Sequence, residues 1–275
     1  MKRLLLVICM LSAGSLCWAQ TAPTLGTAAS FAVLGSSKVT CTGPGVISGD
    51  VGVSPGLFVN TPPCLVVGAV HQGDPAASNA LVALNTAYTN ALVANSGCTS
   101  SLAAAPGASF TLPPGVYCNN LAAGLTFTNI TLTLDALGNA NAVWVFKIDQ
   151  GLTGTGFNVV MAGSGQPCNV YWLVGADSTF TGSTFQGNIL AGGPTGSFTS
   201  TGGTLIGRVL AKGAVTMTGP NVHGTCAIAA QGGGGGAGCK NDDDDDDKDK
   251  GHHDKDKDKD KDKDKDKHKD KDHDD

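Results

Sequence analysis

A seven-residue pattern is written six times along this chain, and it constrains the fold more than any other feature. Its copies begin at Thr40, Thr126, Thr153, Thr179, Thr199 and Thr216. The third position is always threonine: Thr42, Thr128, Thr155, Thr181, Thr201 and Thr218. The fourth is Gly43, Asn129, Gly156, Gly182, Gly202 and Gly219. The sixth is Gly45, Thr131, Asn158, Thr184, Thr204 and Asn221, and the seventh is apolar: Val46, Leu132, Val159, Phe185, Leu205 and Val222.

Strand geometry converts this pattern into an architecture. Alternate side chains of a strand share a face, so positions one and three point the same way. The residues just before each copy (Val39, Leu125, Leu152, Ser178, Phe198, Val215) and those at position two point the other way, and most are apolar or small. Gly or Asn at position four suits a left-handed bend. The apolar seventh residue then turns back inward. This is one corner of a coil, and stacked coils make a β-solenoid. From Thr153 onward the copies lie 26, 20 and 17 residues apart, so the solenoid is irregular.

One segment reads differently. Asp74 is a good N-cap, Pro75 fits the first helical position, and Leu81, Leu84, Tyr88 and Leu92 form one apolar stripe. Gly97 is the expected stop. The expected fold is therefore mostly β: an irregular β-solenoid with one long α-helix packed alongside, followed by a disordered C-terminal tail.

The ends of the chain are of other kinds. Residues 1–19 carry Lys2 and Arg3, an apolar run from Leu4 to Leu16 and a small-x-small ending at Ala19, which reads as a secretory signal peptide. The run is short for a bilayer span, and no later stretch is long enough for one. Residues 20–230 form the expected solenoid domain. Residues 231–275 combine a glycine linker with an Asp/Lys-rich segment that has no apolar residues to fold around. That tail is expected to keep the protein soluble or attached to a cell surface without touching the main ligand. Asp242 to Asp247 and the histidines His252, His253, His268 and His273 offer weak cation binding at most.

Seven cysteines follow the signal, and in an exported chain disulfides are the default. Proximity in sequence suggests Cys41 with Cys64 and Cys98 with Cys118; the count is odd, and Cys239, in the glycine run, is the one expected to be left over.

Charge narrows the function. Between Gln20 and Cys239 the acidic residues are Asp50, Asp74, Asp135, Asp149 and Asp177, and the basic ones are Lys38, Lys147, Arg208 and Lys212; the chain has no glutamate. Nucleic acid needs a basic face that this domain lacks. An enzyme acting on polysaccharide needs clustered carboxylates, and these are scattered. Asp50 and Asp135 look like turn residues, and His71 looks structural at the helix entry. Neither an enzyme nor a cofactor is expected.

A stack of aligned threonines is a grid. Strands lie about 4.8 Å apart and alternate residues about 7 Å apart, so hydroxyls and methyls repeat in two dimensions. Few ligands are regular in two dimensions. Crystal surfaces are, and the oxygen lattice of ice has comparable spacings. Methyls favour ordered water and hydroxyls pin it, whereas Lys or Glu would hold water in another arrangement. The competing reading is a cell-surface adhesin or structural solenoid that binds a repetitive glycan, with Phe157 and Phe180 as candidate rings for sugars to stack on, although core packing explains Phe180 better.

Several landmarks carry a resemblance. "ASFAVLGSSKVTCTGPGVISGDVGVSPG", "GAVHQGDPAASNALVALNTAYTNA", "LPPGVYCNN", "LTLDALGNANAVWVFKI", "CNVYWLVG" and "GNILAGG…GRVLAKGAVTM" occur in the order found in the microbial ice-binding protein family. That family is built on a discontinuous β-solenoid with a helix alongside, and the likeness covers about Leu25 to Gly224. It implies an ice-binding face near Thr-(Ala/Gly)-x-(Thr/Asn), matched here by Thr155–Asn158, Thr181–Thr184, Thr201–Thr204 and Thr218–Asn221. The copies at Thr42 and Thr128 depart from it through Gly45 and Asn129. The residues expected to contact ice are Thr153, Thr155, Asn158, Thr179, Thr181, Thr184, Thr199, Thr201, Thr204, Thr216, Thr218 and Asn221. The expected protein is a secreted monomer whose partner is an ice crystal surface.

Overall fold

The structure is a computed structural model and describes residues 20–194 and 196–224. The signal sequence, the glycine linker, the tail, Cys226 and Cys239 lie outside the described residues.

Strand pairing among the described residues is parallel, as a coil demands, since each strand meets the one lying a full turn away. The coils have three faces. The first, which carries the threonines, runs Leu125–Thr128, Leu152–Thr155, Ser178–Thr181, Phe198–Thr201, Val215–Thr218, Lys38–Thr42, Leu57–Asn60. The second holds Phe110–Leu112, Thr131–Asp135, Asn158–Ala162, the first halves of Thr184–Ala191 and Thr204–Ala211, Asn221–His223, Gly45–Ser48 and Cys64–Val67. The third runs from Ser100–Ser101 through Gly115–Asn119, Trp144–Ile148 and Val170–Val174 to the second halves of those two long strands, then Phe31–Gly35, Asp50–Val53 and Val70–Gln72.

The stacking order departs from chain order at one place. Phe31–Gly35 pairs with Thr204–Ala211, Lys38–Thr42 with Val215–Thr218, and Gly45–Ser48 with Asn221–His223. The first coil of the chain thus stacks on its last. The second coil ends at Val70–Gln72 at one end of the solenoid, and the chain must restart at Ser100–Ser101 at the other. The helix Pro75–Ala94 makes that return. Its 20 residues span about 30 Å, against about 38 Å for the nine strands of the third face.

The helix buries Ala77, Ala80, Leu84, Ala87, Tyr88 and Ala91, so its contact line is mostly alanine. Leu81 and Leu92, expected in the stripe, are only half-buried flanks. Small side chains let the helix lie close to the third face, where Val116, Cys118, Val145, Leu173, Leu190 and Leu210 meet it. Tyr88 rests on bare backbone: a Cβ on Gly192 would come within 2.2 Å of its ring. The helix stops at Asn95, before the expected Gly97. The Asn95 amide side chain donates to the carbonyls of Ala91 and Thr21 and accepts from the Thr21 N–H, while Lys147 Nζ donates to the Asn95 carbonyl. With the end groups satisfied this way, no glycine turn is needed.

Asp74 caps the other end. Its Oδ1 accepts from the Ala77 N–H at 2.9 Å and its Oδ2 lies 2.7 Å from His71 Nδ1. The His71 ring stands edge-on to Phe31, which fixes it structurally at the helix entry. The Ala77 amide, and after it the His71 side chain, hold the Asp74 carboxyl below its ordinary 3.8. A carboxyl depressed by folding adds stability that is complete above its unfolded pKa and is lost as pH falls through the folded one. Asn at this position keeps the acceptor but not the charge. Thermal melts should show the parent chain more stable than Asp74→Asn at about pH 5, with the two converging towards about pH 2.

Inside the coils the core is a ladder of rings. Phe127 stacks on Phe157 with centroids 4.1 Å apart, and Phe146 on Trp172 at 3.8 Å. Cys41–Cys64 and Cys98–Cys118 are disulfides, as their proximity suggested, and Cys168 is disulfide-bonded too.

Candidate functional site

The repeat places its threonines in two straight columns. Thr126, Thr153, Thr179, Thr199, Thr216 and Thr40 are successive cross-strand partners, and so are Thr128, Thr155, Thr181, Thr201, Thr218 and Thr42. From Thr153 to Thr218 every member of both columns is exposed. A third column, Thr131, Asn158, Thr184, Thr204 and Asn221, opens the second face just past the corner. The twelve residues expected at the site are thus brought together along one edge of the solenoid. Asn158 and Thr204 are half-buried and the other ten exposed.

The corner explains the alignment. Asn129, Gly156, Gly182, Gly202, Gly219 and Gly43 all have φ between 52° and 72°, the left-handed conformation the pattern required. Each corner N–H from Asn129 to Gly219 donates to the threonine carbonyl of the next coil: Asn129 to Thr155, Gly156 to Thr181, Gly182 to Thr201, Gly202 to Thr218, Gly219 to Thr42. The backbone ladder therefore runs unbroken around the bend. Ser183 adds a staple, accepting from the Phe157 N–H and donating to the Thr181 carbonyl.

Beneath the columns, large and small residues alternate. Phe127, Gly154, Phe180, Ser200, Met217 and Cys41 are cross-strand neighbours, and a Cβ on Gly154 would lie 2.6 Å from the Phe180 ring. Rings fold over their small neighbours, so the outer surface stays level. Phe157 and Phe180 are spent on this packing, at 0% and 4% exposure, which removes them as platforms for a sugar.

Few of the outward hydroxyls are used within the described residues. Thr42 and Thr218 share a hydrogen bond at 3.2 Å, and Thr42 also donates to the Met217 carbonyl. The hydroxyls of Thr153, Thr155, Thr179, Thr181, Thr199, Thr201 and Thr216 have no protein partner among the described residues. Neither column carries a charge, and the helix covers a different face. The aspartates are committed elsewhere: Asp50, Asp135 and Asp177 accept backbone N–H bonds from Ala69, Leu137 and Ser197.

Two details differ from the sequence pattern. In the copy at Thr40, Val46 pairs with Asn221 and the fully buried Ile47 pairs with Val222. The expected sixth and seventh positions, Gly45 and Val46, are therefore one residue early, because this corner holds an extra residue. The first column also continues to Val59, the partner of Thr40, in a strand that has no Thr-x-Thr to announce it. Only the short apolar run Leu57–Val59 carried a signal.

Comparison with known proteins agrees with this geometry. Residues 33–223 match the family model described as ice-binding-like. An ice-binding protein of Nostoc sp. (strain HG1) is 41% identical over 209 residues, covering 74% of each chain. The crystal structure of an ice binding protein from an Antarctic biological consortium superposes with a TM-score of 0.65 at 34% identity, over 74% of this chain and 91% of that one. The ice-binding protein of the Antarctic ascomycete Antarctomyces psychrotrophicus superposes with a TM-score of 0.65 at 30% identity, over 74% of this chain and 98% of the other. With its residues, its fold and its relatives in agreement, the chain belongs to the ice-binding-like family.

Proposed function

We propose that this is an exported, monomeric antifreeze protein that adsorbs to ice through the threonine columns, without catalysis or a cofactor. The contact set is Thr153, Thr155, Asn158, Thr179, Thr181, Thr184, Thr199, Thr201, Thr204, Thr216, Thr218 and Asn221. Thr126, Thr128 and Thr40 extend it along the same columns. The observation that carries this reading is the in-register row of exposed threonines, all but Thr218 with hydroxyls that have no protein partner among the described residues.

The physics is that of many weak contacts. Each threonine offers a methyl that favours ordered water and a hydroxyl that pins it, at the strand spacing of about 4.8 Å. A rigid scaffold pays little ordering entropy on binding, so small gains per residue add over the face. Bound molecules pin the crystal front. Ice then grows between them with raised curvature, and growth and recrystallisation slow.

The test is direct. The full chain should be taken up into a slowly grown ice hemisphere and should inhibit recrystallisation. Exclusion from the ice, with no inhibition, would leave the columns as structural ladders and sink the proposal.

A further inference from the structure

Leu57–Asn60, Cys64–Val67 and Val70–Gln72 form the outermost coil at one end of the solenoid. Each of these strands pairs on one side only among the described residues. The coil has almost no core of its own. Between Ser54 and Asp74 the only buried residue is Cys64, and Leu57, Val59, Leu65, Val67 and Val70 are exposed. Only Phe58 and Val66 reach partway into the core. Directly beneath lie Val39, Cys41, Ile47, Val51 and Val53, all at 0% exposure. The coil thus covers five core residues while burying little of itself, so only one side of this contact contributes apolar area and the hydrophobic term is smaller here than between inner coils.

What remains is a parallel ladder on one side, a few hydrogen bonds and one covalent tie. The Gly56 N–H donates to the Ser36 carbonyl, the Thr61 N–H to the Cys41 carbonyl, and Gln72 Oε1 accepts from the Phe58 N–H within the coil itself. The covalent tie is Cys41–Cys64. It joins the strand Lys38–Thr42 of the inner coil to the first residue of the outer coil's second-face strand. The coil's single buried side chain is therefore also its anchor.

We infer that the Cys41–Cys64 disulfide is a redox clamp that keeps this end coil closed over the core. With the disulfide formed, residues 54–72 sit on Lys38–Thr42, Gly45–Ser48 and Asp50–Val53. When an external thiol or phosphine reduces the S–S bond to two thiols, itself becoming oxidised, the coil opens as a unit. The remaining coils keep their own aromatic core and stay folded. The disulfide closes a loop of 23 residues. In the chain-entropy account, removing it favours the open coil on the order of a hundredfold.

Hydrogen–deuterium exchange of the full chain tests this, read by region with and without a phosphine reductant and again for Cys64→Ser. Amides of 56–72 should exchange on the order of a hundredfold faster once the bond is gone. Those of Trp144–Ile148, Val170–Val174 and Thr204–Ala211 should be unchanged. A Cys98→Ser chain should leave 56–72 protected. If Cys64→Ser does not accumulate as folded protein, reduction of the folded parent gives the same readout. Unchanged exchange in 56–72, or an equal rise through every coil, would overturn the clamp.

Discussion

A chain carrying Thr181→Tyr and Thr201→Tyr together should lose most of its inhibition of ice recrystallisation while keeping its fold. Both residues are exposed members of the second threonine column and direct cross-strand partners. Two phenol rings there stand off the surface and hold the neighbouring threonines away from the ice. The loss does not stay local, because a flat contact fails as a unit. At least about tenfold more protein should be needed for equal inhibition, equivalent to about 1.4 kcal/mol of adsorption energy. Because neither hydroxyl is bonded among the described residues, stability should change by no more than about 0.5 kcal/mol. Circular dichroism on the same sample separates the two effects. A Val82→Tyr chain, altered on the outer face of the helix where Val82 is 68% exposed, should retain full activity. Full activity in the double variant would move the ice site to another face.

The second large effect concerns stability. Arg208 is 6% exposed and holds a hydrogen-bond network together. Its Nε donates to the Ala29 carbonyl and its Nη1 to Asn188 Oδ1, and Asn188 in turn donates to the carbonyls of Cys168 and Val170. One guanidinium thus connects the 3₁₀ turn Gly26–Ser30, two coils and the segment at Cys168. Burial pushes its pKa below the ordinary arginine value. Arg208→Ala takes these donors from the half-buried Ala29 carbonyl and from the fully enclosed Asn188 Oδ1. The expected cost is about 3 kcal/mol, a fall in Tm of about 6–12 °C for a domain of this size. Lysine should rescue little of it, because one ammonium cannot reproduce the guanidinium fork. Melting curves of the three chains decide the matter, and a shift of less than about 2 °C would mean that the network contributes little.

What the sequence revealed was whatever repeats locally. Thr155 and Gly156 announce an outward column and a left-handed corner within two residues, because strand alternation and glycine's conformational freedom act at short range. The same rules place Asp74 at the helix start. They fail where an outcome depends on distant partners. Asn95 ends the helix because Thr21 and Lys147 meet it there, and neither lies nearby in sequence. Alanines hold most of the contact line and Leu81 and Leu92 flank it, because the third face admits a large side chain only at Leu84 and Tyr88, a fact that belongs to the other surface. The one-residue shift at Ile47 follows from pairing with Val222, which lies at the opposite end of the domain. The free hydroxyls could not be read from sequence either, since nothing local says that the Thr42 and Thr218 hydroxyls bond each other while that of Thr181 has no partner among the described residues.

The stacking of the first coil on the last bears on how the molecule is made. Phe31–Gly35, Lys38–Thr42 and Gly45–Ser48 each need a neighbour that the ribosome supplies only some 170 residues later. Until then that side of the coil is an open strand edge, and loop closure over such a span is slow. Folding therefore completes only after the last coil has been synthesised, so a chain stalled or cut before residue 204 presents an unpaired template for aggregation. Such a topology fits the export proposed above, since a chain that crosses a membrane unfolded can complete this fold afterwards.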